Sequence, residues 1–600
     1  MPPSIDVSML HKTRRSVRAD RRLLTSIDPE IARLGVEVKD PQSQIHHKIV
    51  NRSGGWKMIA ILSPYLCVVA LQLWLLYPLH TTLDLPTWDE AIYLQQGGWF
   101  LHGEGLGPIS ISPVYSLLYS VLIKIFGTVD SVFTMQYLIK VTVSGLLLLC
   151  LVEHLRSRLL ALLLTLIWVV SGINIFERVL VYHVALGFFL LALFSLNKHR
   201  GISLLLLVLC SLTRLEYLFP TLAFAGYLIF ISVPKFKRRG SQSTSVKRRV
   251  TAPIFMGFLL AVAILYVIVN VDGLNPGTDR TWLAFNQNYA LHEVEAGRYK
   301  LNPYLDYNFI IQEDFPGAES LADAFTISPG LFLKHVARNI AMLPQAVLSF
   351  IIPYIGLRIW GLIYGVLLGF AMTIVTYAVV VNRRFILSGW RGAIAERREL
   401  LYVTVASLLS LAPILLVYPR PHHTLIMVPL CLLWAGLTCC QVLNIINSPL
   451  FSRWSLATLN ALFILSIGVT SKPYVSKPAD RPVYDKVMQL IELWPNEKVK
   501  LMAVGASWYA GYIGVDKVDA IEPLATASGD KIADQGTDLR LLLEKYHPDA
   551  VLVNNELISS KNFKTASLEV LNSDGWVKQT IGADTVYFLG EKFKPARENK

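Results

Sequence analysis

Charged residues are scarce in this chain, 16% of its 600 positions, against 53% hydrophobic residues. A soluble globule cannot hide that much apolar surface, and several uninterrupted apolar runs are long enough to cross a bilayer. Cysteine is scarce too. All six (Cys67, Cys150, Cys210, Cys431, Cys439 and Cys440) fall inside apolar runs, which excludes a loop disulfide framework or a cysteine metal site and leaves them as packing residues. Residues 1–56 are polar and basic and lack an apolar h-region, so no cleavable signal peptide is expected and the first span also serves as the signal. There is no repeat period, no low-complexity tract and no full GxGxxG.

What the chain does have is a series of apolar runs. They predict spans near 57–78, 134–152, 159–176, 180–196, 202–212, 217–233, 251–270, 351–381, 400–418, 424–446 and 454–471, about eleven in all. The stretch 202–233 is split at Thr213-Arg214-Leu215-Glu216. As one helix it would far exceed the roughly 30 Å hydrocarbon core, and two charges would face lipid. The formal net charge of +13 comes from lysines and arginines clustered between runs, as cytoplasmic retention requires, so nucleic acid is not an expected partner. With residues 1–56 inside, Arg156 and Arg158, Lys198 and Arg200, the Lys235–Arg249 cluster and Arg383–Arg398 are all cytoplasmic. The division expected is a basic cytoplasmic segment 1–56, a transmembrane domain 57–471 and an external α/β domain 472–600. In that last domain the pattern predicts helices over 483–494 and 539–546 and strands at 499–504, 518–521 and 550–554, arranged as a parallel sheet. Val504-Gly505-Ala506-Ser507 hints weakly at a phosphate loop.

Chemistry-bearing residues gather on the side predicted to be external. Asp84 and the pair Asp89-Glu90 follow the first run, between an aromatic-rich stretch 91–100 and an apolar segment 114–126 too short to span, both suited to the interface. Glu177 and Arg178 with Tyr182 and His183 form a second group, Arg214 and Glu216 a third, and Arg420, His422 and His423 a fourth. Arginine suits a lipid phosphate through paired hydrogen bonds and histidine adds a donor; snorkelling at span ends explains any one of these groups as well. His422 and His423 could also bind a metal, for which adjacent histidines without carboxylates at ligand spacing are a weak signal. The long external loop 270–339 carries Trp282, Asn286 and Tyr289, types that suit a sugar ring or a structural cap alike.

The segments TWDEAIYLQQGGWFLHGEG, SPVYSLLYSVLIKIFG, ERVLVYHVALGFFLLAL, LTRLEYLFP and PRPHHTLIMVPL together resemble the GT-C superfamily of polyprenyl-phosphate-dependent membrane glycosyltransferases, which includes protein O-mannosyltransferases and the lipid A aminoarabinose transferase. The resemblance covers roughly 57–471 and implies a many-helix bundle with two interfacial helices in the first loop and an external cavity. It implies Asp89 as the base, supported by Glu90, with the donor phosphate met by Arg178, Arg214 or Arg420; His183, His422 and His423 are expected beside them as further donors to that phosphate. Glu216, Trp282, Asn286 and Tyr289 are expected at the sugar or acceptor.

The function expected is transfer of one sugar from a polyprenyl-phosphate donor to a lipid, glycan or protein acceptor on the external face of a cell membrane, by a multi-pass protein of the bacterial inner membrane type. Membrane lipids are the other expected partners, and neither metal nor cofactor is called for. A multi-pass transporter or lipid flippase is the rival, and a scaffold that merely displays the C-terminal domain is a third reading.

Overall fold

The computed structural model describes residues 62–77, 82–87, 89–105, 112–237, 280–304, 306–351, 392, 394, 396–445, 449–470, 480–494, 497–521, 539–559, 565–572 and 575–590, nearly all in the compact unit Pro64–Lys600. The spans expected at 251–270 and 351–381 lie outside the described residues, apart from Ile351 itself, as does most of the Lys235–Arg249 cluster.

Helix α1 (Leu62–Leu76) leads to the acidic loop, where α2 (Asp89–Leu101) and α3 (Pro113–Phe126) pack together. The bundle continues with α4 (Thr128–Leu155), α5 (Arg158–Val169), the short α6 (Gly172–Phe176), α7 (Val181–Ser195), α8 (Arg200–Thr213) and α9 (Leu218–Lys237). Between α8 and α9 the chain breaks at Arg214, whose backbone is extended, and Leu215–Tyr217 forms one 3-10 turn, at the place chosen from the two charges. The loop 280–348 folds into α10 (Arg280–Glu295), α11 (Tyr307–Asp314), α12 (Leu321–Ile327) and α13 (Pro329–Leu348), which close a small aromatic core of their own around Phe285, Tyr289 and Phe315. Then follow α14 (Arg398–Leu409), α15 (Ala412–Val417), a 3-10 turn at Pro421–Thr424, α16 (Met427–Ile445) and α17 (Pro449–Thr470).

Among the described residues, two helical stretches are long and apolar enough to cross a membrane, Thr128–Leu155 with mean hydropathy 1.9 and Arg398–Val417 with 2.3. Eight shorter apolar helices accompany them. Charges predicted to be cytoplasmic meet at one end of the bundle: Lys198 pairs with Glu153 at 2.8 Å, Arg156 with Glu396 at 3.3 Å and Arg200 with Glu399 at 2.5 Å. All six cysteines are free thiols.

The C-terminal part contains α18 (Pro482–Leu493), β1 (Val499–Met502), α19 (Ala506–Ile513), β2 (Val518–Ile521), α20 (Leu539–Tyr546), β3 (Ala550–Val553), α21 (Asn555–Ser559), β4 (Trp576–Ile581) and β5 (Asp584–Leu589). The sheet order is β2-β1-β3-β5-β4, parallel for the first three strands and antiparallel for the rest. The expected all-parallel sheet is thus corrected to a mixed one. The missing piece is a hairpin whose two-residue Gly582-Ala583 turn is opened by the φ of 59° at Gly582. Alternate strand residues face two cores: Leu501, Leu552 and Phe588 join the bundle core, whereas Met502, Val551, Val553 and Tyr587 pack under α20. Gly505 (φ 78°) opens α19, but its open side is covered by the Trp508 indole, 2.7 Å from where a Cβ would stand. That glycine makes room for a tryptophan, not for a phosphate.

Candidate functional site

Two carboxylates open α2, where the helix dipole favours negative charge. Their environments differ completely. Asp89 is exposed, whereas Glu90 is fully buried and accepts hydrogen bonds from the Tyr115 and Tyr119 hydroxyls of α3 and, at 3.2 Å, from the Leu180 N–H. Burial pushes the Glu90 carboxyl up to about 7 against the opposing pull of the two phenols. The helices approach closely because Gly97 has no side chain: a Cβ there would sit 2.7 Å from Tyr119 Cβ and 2.9 Å from the Ser116 carbonyl. Ser116 Oγ donates to Gln96 at 2.9 Å across the same seam.

Beside this pair lies a second charged group built from three distant segments. Glu177, at the end of α6, accepts from the N–H groups of Arg178 and Val179 at 3.0 Å each and from His422 Nδ1 at 2.9 Å. Burial works against its charge, but His422 and the backbone donors outweigh it and hold the carboxyl down at about 2. The Tyr182 ring lies 4.8 Å from His422 and 5.3 Å from His423, and the Arg214 guanidinium stacks on its other neighbourhood at 4.0 Å. Arg214 is engaged: Nε donates to Glu216 Oε2 at 3.1 Å, a second bond reaches Oε1, and Nη2 also bonds the Tyr182 hydroxyl at 2.5 Å. The expectation of Arg214 on a phosphate and Glu216 on a sugar meets residues turned on each other. Desolvation, with His422 and Arg214 nearby, keeps His423 well below the ordinary histidine range, and its Nδ1 bonds the Tyr418 carbonyl at 2.9 Å. The Leu180 N–H bonds Glu90, His422 bonds Glu177 and Arg214 bonds the Tyr182 hydroxyl, so the four sequence clusters are joined by direct contacts.

Two arginines remain open. The half-buried Arg178 side chain makes no hydrogen bond or ion pair among the described residues. Among the described residues Arg420 donates only to neutral oxygens, Asn288 Oδ1 at 3.4 Å and the Tyr304 hydroxyl at 3.1 Å. Not every expected site residue is placed to meet a substrate. His183 is fully buried against Trp168, and neither of its ring nitrogens is hydrogen-bonded. Tyr289 is 1% exposed and donates to Asp314 at 2.9 Å, which makes it a core residue of the loop unit. Asn286 is buried in the same unit, and Trp282 stacks on Phe285 at its edge. A structural role suits these three better than sugar contact.

Sequence reasoning missed Tyr115 and Tyr119, which sit in a segment scored simply as apolar; their i, i+4 spacing on one helix face, opposite an acid, was the available signal. It also passed over Lys140, fully buried in α4, which donates to the Ile175 carbonyl at 2.7 Å. Tyr512, from the C-terminal domain, reaches the Pro86 carbonyl of the acidic loop and could not be read from local pattern at all. Among the described residues no three His, Cys, Asp or Glu side chains form a metal-binding group.

The chain matches no protein-family profile, and no curated protein matches it. Two solved structures show a likeness. ArnT from Cupriavidus metallidurans bound to undecaprenyl phosphate is 11% identical with a TM-score of 0.36, the alignment covering 88% of this chain and 98% of that one. ArnT from the same organism in the apo state is 12% identical with a TM-score of 0.33, covering 91% and 100%. At these scores a shared fold does not follow, and function is argued from the chain's own residues.

Proposed function

We propose that the protein is a multi-pass membrane glycosyltransferase of the GT-C type, moving one sugar from a polyprenyl-phosphate carrier to an acceptor hydroxyl on the external face. The observation that carries the reading is that, on loops predicted to share the external face, Asp89 is exposed and two arginines, Arg178 and Arg420, have no carboxylate partner among the described residues. In this reading Asp89 takes the proton of the acceptor hydroxyl as its oxygen attacks the anomeric carbon. The bond from that carbon to the phosphate oxygen breaks, polyprenyl phosphate leaves, and the configuration inverts. Arg178 and Arg420 offer hydrogen bonds to the charge that grows on the leaving phosphate. Glu90 is fully buried and so cannot reach an acceptor; it braces α2 against the two phenols of α3.

The test is incubation of the purified protein with a panel of polyprenyl-phosphate sugars, reading release of polyprenyl phosphate. Asp89→Asn keeps shape and hydrogen bonding but cannot accept the proton, so turnover drops by at least about a hundredfold with donor binding retained. Arg178→Ala and Arg420→Ala weaken donor binding by roughly 1.5–3 kcal/mol each where the phosphate is bonded. A wild-type rate for Asp89→Asn excludes it as the base. One observation favours the transport reading: Lys140 is buried inside the bundle beside Gln72, Ser144 and Asn174, which are linked by hydrogen bonds of 2.8 Å. Movement of a labelled lipid between leaflets without sugar release would select it.

A further inference from the structure

The C-terminal domain touches the acidic loop at several points, and each contact needs a particular residue. Asp84 accepts from the Val483 and Tyr484 N–H groups at 2.9 and 2.7 Å, capping the first turn of α18, which has no side-chain cap of its own. Thr128 Oγ1 at the start of α4 donates to the Tyr512 carbonyl at 2.5 Å, and the Tyr512 hydroxyl donates to the Pro86 carbonyl, three residues before Asp89. Gly511 lets α19 lie directly on α2: a Cβ there would stand 2.5 Å from the Ala91 carbonyl oxygen. Val515 packs on Gly98 further along the same helix. Ala91, Leu94, Trp508 and Tyr512 belong to one continuous apolar core, so burial as well as polar contact joins the two elements. Tyr512 is 1% exposed, and it lies within electrostatic reach of Glu90, Asp84 and Arg178.

We propose that Tyr512 is a positioning residue for the acidic helix, so that the C-terminal domain, seated through α19, completes the site in which Asp89 meets its acceptor. The proposal rests on the transferase reading for its catalytic half. Pro86 is the last fixed point before the helix: its carbonyl is held by the phenol, and beyond it only Thr87 and residue 88 separate the anchor from Asp89. An anchor that close to a base controls its reach, and displacements of about 1 Å are enough to cost up to a hundredfold in rate.

The experiment uses the full chain in detergent and two readouts, turnover on the polyprenyl-phosphate sugar panel and hydrogen exchange of the amides in 89–101. Tyr512→Phe removes one hydrogen bond while keeping the ring in the core. It should lower kcat about ten- to hundredfold with donor KM unchanged and speed exchange in α2. Gly511→Ala, which wedges the two helices apart, should do the same more strongly, and Leu541→Ser on the exposed face of α20 should change neither readout. Wild-type kcat in Tyr512→Phe overturns the positioning role, and so does lowered kcat with unchanged exchange. If the wild-type chain releases polyprenyl phosphate from no donor, the transferase reading falls. In that case the exchange readout alone decides, and unchanged exchange in Gly511→Ala shows that the domain does not hold the acidic helix.

Discussion

Glu90 and Glu177 are two carboxylates of one neighbourhood, each withdrawn from solvent, and their surroundings drive them in opposite directions. Glu90 is met by two phenols and one backbone N–H, with no cation in contact, and burial holds it at about 7. Glu177 is largely rather than fully buried, and an imidazole and two backbone N–H groups more than offset that burial, so the carboxyl sits at about 2. The lesson is that two phenols and one backbone N–H do not offset the burial of Glu90, whereas an imidazole and two backbone N–H groups do offset that of Glu177. The two carboxylates fasten different seams: Glu177 ties the His422 turn to α6, and Glu90 ties α2 to the phenols of α3. Pairs pushed apart in this way are a recurrent feature of acid–base sites.

The largest effect comes from removing the partner that makes the difference. His422→Ala leaves Glu177 with its backbone donors only, in a site where both side chains are under one-fifth exposed. Stripping one member from a buried charged hydrogen bond costs about 3 kcal/mol. Thermal unfolding in detergent at neutral pH should show a clear loss of stability, and His422→Ala in the Glu177→Gln background should show much less. An unchanged melting temperature in the single variant would mean that His422 is not what holds Glu177 charged.

The next effect is the opposite pH dependence of the two acids. Glu90 has a folded-state value above its ordinary 4.5, so the folded protein binds this proton more tightly than the unfolded chain. Its contribution is full below about 4.5 and is lost as pH rises through about 7, a gap that corresponds to roughly 3 kcal/mol. Glu177, with a value below 4.5, contributes above that pH and loses its contribution as pH falls toward 2. Denaturation measured from pH 5 to pH 8.5 should therefore show falling stability, and Glu90→Gln should flatten the curve on that side only. A slope that survives Glu90→Gln belongs to another group.

Much of the bundle was legible because its signals are local. The break after Thr213 follows from the cost of placing Arg214 and Glu216 in hydrocarbon, and α7, α8, α14 and α17 lie where their apolar runs are. Legibility fails where a residue's role is decided by something distant in sequence. Nothing local says that Arg214 will spend its donors on Glu216 and Tyr182, or that Tyr289 will be sealed under Asp314. Tyr115 and Tyr119 read as apolar bulk because a tyrosine in an amphipathic helix shows its ring to a pattern search and hides its hydroxyl. The β4–β5 hairpin escaped because β4, WVKQTI, alternates polar and apolar residues too weakly to stand out beside the apolar β3, AVLV. Topology alone gave a shared external face for the four charged clusters, since alternating spans fix which loops share a face; the side-chain contacts that join them could not be read from it.

The smallest effect probes the phenols that keep Glu90 from behaving as a simply buried acid. A hydroxyl donating to a carboxylate stabilises the charged form, so each phenol pulls Glu90 down, against the larger upward push of burial. Tyr115→Phe deletes one donor and leaves the ring that packs edge-on against Tyr93 at 5.1 Å, so core packing is preserved. The Glu90 carboxyl should then move further up, and the decline of stability with pH should continue to a higher pH than in the wild type. At pH 5, where Glu90 is protonated, the cost should be near 1 kcal/mol, the net value of one hydrogen bond. Tyr119→Phe should act in the same direction, because both hydroxyls meet the same Oε1. In the Glu90→Gln background neither substitution can move a titration, so the shift in pH dependence should vanish while the small constant cost remains. A downward shift in Tyr115→Phe would mean that the phenol bonds the protonated acid more strongly than the carboxylate, and the contrast with Glu177 would then rest on the imidazole alone.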